Sequence, residues 1–181
     1  MNSAKFLTIT LLFLLSPLLA TAASINMTLI TNVTNAVLGS GSLEGARGMQ
    51  VDDVNILLYI SAYTDDELSV YNISTIGGIT RVGNKSDSTG AGSLDQNWFG
   101  TLDPINKLFY GQSYADDYIS PYDVAGKNPV AMTGVSTGSN PGSLDGAYDV
   151  AYVDIGTVRF LAASASLDDT LSIYNASRDT G

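Results

Sequence analysis

"SAYTDDELSVYNIS", residues 61–74, sets an acidic pair before a run in which residue character alternates, and the chain repeats the arrangement as "QSYADDYISPYDVA" (112–125) and "SASLDDTLSIYNAS" (164–177). A period of two puts Leu68, Val70 and Asn72 on one side of an extended segment and Ser69, Tyr71 and Ile73 on the other; a helix needs a period near 3.6. Both sides carry bulky groups, so the segment reads as a strand covered on two faces. The apolar "NILLYISAY" before it reads as a second strand. The pairs Asp65/Asp66, Asp116/Asp117 and Asp168/Asp169 then fall between two strands, where Asp holds a turn by accepting hydrogen bonds from nearby backbone N–H groups.

Working outward, "GSLEGARG" (41–48), "GSLDQNWF" (92–99) and "GSLDGAYD" (142–149) open three units offset by 51 and 50 residues. The acidic pairs are offset by 51 and 52, as are Tyr71, Tyr122 and Tyr174. Three independent markers thus share one period. Each unit has room for about four short strands, with Gly, Ser, Thr and Asn clustered between them, which predicts an all-β protein. The expected architecture is a β-propeller of four-stranded antiparallel blades, three of them present: 42–90, 91–141 and an incomplete 142–181, with 24–41 as an N-terminal closing strand. Three falls short of the usual four to eight blades. A longer reading frame past Gly181 is the favoured explanation; half of a ring closed by oligomerisation is the competing one.

Residues 1–23 have the order of an export signal: Lys5, then the apolar "FLTITLLFLLSPLLA", then the small residues Ala20, Thr21 and Ala22. The expected product is a secreted or surface-displayed chain of about 158 residues without a later membrane span. Eight basic residues against 18 acidic ones give a formal charge of −10, which argues against nucleic acid as a partner. The chain has no Cys and no His, so it offers no disulfide, Ser/His/Asp triad, Cys nucleophile or His-ligated metal site. The acidic pairs lack the spacing of a calcium loop. Three pairs on separate units also stand too far apart for the two carboxylates of a glycosidase, which lie within about 10 Å. No catalytic residue, metal or cofactor is expected.

The pattern "SLEGARGMQV", "LLYISAYTDDELSVYNIS" and "ITRVG" resembles the LVIVD-type repeat of extracellular β-propellers, and more distantly lactonase-like propellers. The likeness covers 41–83, 92–135 and 142–177. It implies a propeller at the cell surface and leaves activity open. The second copy departs from it at Trp98 and Phe99, and at Pro121, which is expected to make the third strand of that unit irregular.

Aligned on "GSL", Arg47, Trp98 and Tyr148 are equivalent, followed by Gly48, Phe99 and Asp149. In a propeller this position begins the innermost strand near a channel mouth. Arg47, Trp98, Phe99, Tyr148 and Asp149 are therefore the candidate ligand residues, since aromatic faces and a guanidinium suit sugars, carboxylates or peptides; alternatively Trp98 and Phe99 fill the gap between blades. Sequons stand at Asn26, Asn32, Asn72, Asn84 and Asn175, with Asn26, Asn32 and Asn84 favoured as glycan sites because Asn72 and Asn175 match Asp123 in the turn motif. The expected function is a non-catalytic binding or assembly module whose partner is a protein, a carbohydrate or another copy. The alternatives are a lactonase-like or carbohydrate-active hydrolase completed outside this chain, and a subunit of an extracellular fibre or surface layer.

Overall fold

The structure, a computed structural model, describes residues 32, 34, 43–74, 78–87, 93–136 and 144–176. Among them every regular element is a strand, as the period of two requires. β1 (Ala46–Asp52), β2 (Leu57–Ala62), β3 (Glu67–Ile73) and β4 (Ile79–Ser86) form an antiparallel sheet in chain order. The second sheet contains β5 (Gly100–Asp103), β6 (Leu108–Ser113) and β7 (Tyr118–Asp123), its fourth place shared by β8 (Val130–Ala131) and β9 (Val135–Ser136). β10 (Ala147–Ile155), β11 (Val158–Ala165) and β12 (Thr170–Asn175) form the third. The leader over 1–23 lies outside the described residues, as does the closing strand over 24–41 apart from residues 32 and 34.

The first two sheets share a turn chemistry between their first and second strands. Asp52 Oδ1 accepts from the N–H groups of Val54 (3.1 Å) and Asn55 (3.0 Å), and its Oδ2 from the Asn55 amide at 2.7 Å. Asp103 repeats this with Ile105 N, Asn106 N and the Asn106 side chain at 2.9, 3.0 and 2.6 Å. Left-handed residues, Ile56 and Lys107, close both turns. The third sheet uses a shorter turn through Gly156, φ 68°.

The core lies between sheets. Leu57, Tyr59, Leu68 and Val70 of the first sheet pack against Leu102, Phe109 and Tyr122 of the second, with Tyr59 and Phe109 stacked at 5.7 Å. On its other face the second sheet packs Leu108, Tyr110 and Ile119 against Val150, Leu161 and Ala163 of the third. Strands covered on both faces need apolar groups at odd and even positions, which explains the two-sided pattern of the repeats. Fully burying each such Leu or Val contributes about 1.5–3 kcal/mol. The first strands adjoin, β1 beside β5 and β5 beside β10, and make an inner wall. There a Cβ on Gly100 would lie 2.4 Å from the Phe109 ring, so only glycine lets β5 sit this close.

Pro121 corrects an expectation. The third strand of its unit is continuous, with Pro121 paired to Tyr110; the irregularity falls on the fourth strand, which breaks into β8 and β9 opposite the proline. A residue without an N–H cannot serve a neighbour on each side, and the chain bulges at Met132, whose N–H donates to the Pro121 carbonyl at 2.9 Å. A cavity of about 450 Å³ opens there, lined by Pro121, Met132, Leu161 and Tyr174.

Candidate functional site

The ladders of β1 and β10 each slip by one residue near their start, between Ala46 and Gly48 and between Ala147 and Asp149. The extra residues are Arg47 and Tyr148. A bulge of this kind turns a side chain out of the pleat and re-aims it. Trp98 and Phe99 occupy the matching place just before β5. Three equivalent positions thereby converge on one spot.

Trp98 is the hub. The Arg47 guanidinium carbon stands 3.8 Å from its ring centroid and 4.5 Å from that of Tyr63. Tyr63 meets Trp98 edge-on at 5.4 Å, Tyr148 lies 4.8 Å away and Tyr114 5.8 Å away, while Phe99 contacts Tyr148 at 5.9 Å. Each aromatic pair contributes about 0.5–1.5 kcal/mol beyond area burial, and the cation on the indole face about 0.5–2 kcal/mol. Gly48 fits because a Cβ there would press on the Phe99 backbone at 2.8 Å. Beside the cluster the inner strands enclose a cavity of about 400 Å³, lined by Arg47, Gln50, Phe99, Thr101, Asp149 and Tyr152 among others. Burial, then Asp103, pushes the Tyr152 hydroxyl up to about 12, so it stays protonated as a donor at neutral pH.

All five residues singled out from the sequence, Arg47, Trp98, Phe99, Tyr148 and Asp149, therefore lie together. Sequence reading missed Tyr63 and Tyr114. Their signal was present, since each stands two residues before its acidic pair, at an offset of 51. The polar partners Gln50 and Thr101 carried no comparable mark.

The acidic pairs sit in the turns between second and third strands, and their two members do different work. The first reaches back within its own unit: Asp65 Oδ2 accepts from Glu44 N at 2.9 Å, Asp168 Oδ2 from Asp145 N at 3.1 Å, and Asp116 from the Ser93 hydroxyl. The second reaches forward to the next: Asp66 Oδ1 accepts from Gln96 N at 2.8 Å and Asp117 Oδ1 from Gly146 N at 2.7 Å. Among the described residues no group of three or more acidic side chains is arranged to hold a metal, and no helix is long and apolar enough to cross a membrane.

No family model matches the chain, and no curated protein sequence matches it at a significant level. Solved structures do resemble it. A candidate 6-phosphogluconolactonase of Bacteroides uniformis aligns at 9% identity over 75% of this chain and 38% of its own, with a TM-score of 0.55. Hydrazine synthase of Kuenenia stuttgartiensis gives 13%, 80%, 36% and 0.55 for the same measures, and a chain of the mitotic checkpoint complex 15%, 74%, 36% and 0.50. The fold is a β-propeller. At these identities the likeness shows the fold alone, and the chain spans between a third and two fifths of the length of these neighbours.

In the propeller each sheet is a blade, the inner wall bounds a channel, and the cluster around Trp98 stands at one end of that channel. Of the sequons, Asn26 lies outside the described residues, and Asn32, Asn72 and Asn175 are exposed. Asn84 on β4 is engaged: its amide donates at 2.9 Å to Glu67, a buried carboxylate that also meets Arg81, Ser69 and Ser86.

Proposed function

We propose that the chain is a secreted or surface-displayed propeller of the LVIVD type that acts as a non-catalytic binding and assembly module, with carbohydrate as the ligand of the channel end. The observation that carries the reading is the Arg47 guanidinium held over the Trp98 ring, with Tyr63, Tyr114 and Tyr148 around it and Asp149, Gln50 and Thr101 alongside. Aromatic faces stack on the apolar face of a sugar ring; a guanidinium and an amide donate to hydroxyls, and a carboxylate accepts from them. A neutral sugar suits this mixture better than an anion, because Asp149 lies in the same cavity and the chain carries a formal charge of −10.

Trp98 is the one tryptophan, so its fluorescence reports the site without labelling. Titration with neutral oligosaccharides of graded length and linkage should give a saturable change in emission. Arg47→Ala should weaken the affinity by about five- to thirty-fold, as loss of about 1–2 kcal/mol requires. An emission spectrum that stays flat across the series up to millimolar concentrations would discard the carbohydrate reading.

A further inference from the structure

The two contacts between blades are built from the same parts, and the end blades each present half of that set. At the first contact Asp66, in the left-handed region at φ 49°, accepts from the N–H of Gln96, itself left-handed at 55°. Leu68 and Val70, both 0% exposed, close that contact beneath the hook. At the second, Asp117 (φ 54°) accepts from Gly146 (φ 64°), with Ile119 buried below. The third copy has the same residues in place. Asp169 adopts φ 53°, but no donor meets its carboxylate among the described residues. Leu171 and Ile173, standing where Leu68 and Val70 do, are 70% and 58% exposed.

The first blade carries the complement. Gly45 shares the left-handed turn of Gln96 and Gly146, at φ 68°, and its N–H meets no acceptor among the described residues. Met49 occupies the position of Val150 and Val51 that of Leu102; those equivalents are buried at a blade contact, whereas Met49 is 66% and Val51 55% exposed.

From this complementarity we infer that the Asp169, Leu171 and Ile173 face of one chain docks on the Gly45, Met49 and Val51 face of a second copy, and that two copies close a ring of six blades. Each chain carries both halves, so the contact is head-to-tail, and it stays finite only if the rotation closes. Two copies meet that condition with two identical junctions and reach a blade count within the usual range. The junction continues the architecture of the two internal ones: a carboxylate accepting from a left-handed turn N–H, above an apolar seam. The inference rests on the assembly half of the reading above and not on the sugar site, and the two fail separately, since one is read by mass and the other by Trp98 emission.

The test is the native mass of the purified chain at micromolar concentration, by native mass spectrometry and light scattering. Twice the chain mass is expected. A monomer, or a series growing beyond two, overturns the proposal. Asp169→Ala removes only a carboxylate and should raise the dimer dissociation constant about ten-fold or more while leaving subunit unfolding unchanged. Leu171→Asp should give monomer, and Val130→Asp, an exposed change on β8 away from both faces, should leave the dimer intact. A dimer indifferent to both Asp169→Ala and Leu171→Asp uses another surface and also overturns it. If Leu171→Asp does not fold, Asp169→Ala decides alone.

Discussion

Asp52 and Asp95 bring the same side chain into opposite settings. Burial alone would raise Asp52, but hydrogen bonds from the Asn55 side chain and backbone, the Lys107 ammonium at 3.8 Å and the Val54 N–H outweigh it, and the carboxyl is held below 3.8. Asp95 is pushed above 3.8, first by desolvation and then by Asp66, Asp116 and Asp87; Asp145 moves the same way through desolvation, Asp117 and Asp168. A lowered carboxyl contributes stability that is present above its unfolded pKa and lost as pH falls through the folded value. A raised one contributes stability that is present below the unfolded pKa and lost as pH rises through the folded value. The melting temperature should therefore climb as pH drops from 7 to about 4.5 and fall below about 3.5. Asp95→Asn should flatten the climb by raising the melting temperature at pH 7 by about 1–3 °C. A melting temperature that falls steadily from pH 7 downward contradicts this assignment.

At the scale of elements, β4 passes so close to the loop after β7 that a Cβ on Gly83 would lie 1.9 Å from the Lys127 carbonyl oxygen and 2.8 Å from the Asn128 side chain. Backbone cannot swing aside as a side-chain tip can. Gly83→Ala should cost about 1–3 kcal/mol and lower the melting temperature by about 2–12 °C, while Gly126→Ala, with open space around it, should cost far less; equal melting curves for the two would refute the close approach. Much of the element layout was legible because alternation survives in a strand whatever it packs against, as in "ELSVYNI". Register was not legible. The slips that turn out Arg47 and Tyr148 belong to a pair of strands and leave no mark in either one. The consequence of Pro121 was misplaced for the same reason: the residue shows that a donor is missing, but not which neighbouring strand goes without it. The turns at Asp52–Asn55 and Asp103–Asn106 did repeat in the sequence, hidden behind the more conspicuous acidic pairs.

For the whole molecule, what turns three sheets into one body is a pair of forward-reaching carboxylates at one end of the blades and the apolar seam between them. At the other end Lys107 of the second blade approaches Asp52 of the first, and Arg159 of the third donates to the Asn106 carbonyl at 3.5 Å. These contacts bring Arg47, Trp98 and Tyr148, from three different blades, to a single place, and the proposed site exists only if the blades keep that relation. Amide hydrogen exchange at Gln96 and Gly146, followed by NMR in the native chain and in Asp66→Ala and Asp117→Ala, tests it most directly. Both amides should be protected in the native chain; Asp66→Ala should speed exchange at Gln96 alone and Asp117→Ala at Gly146 alone, each by about ten-fold or more. Native amides exchanging at the rate of an unstructured chain, or unaffected by either substitution, would contradict a propeller held together in this way.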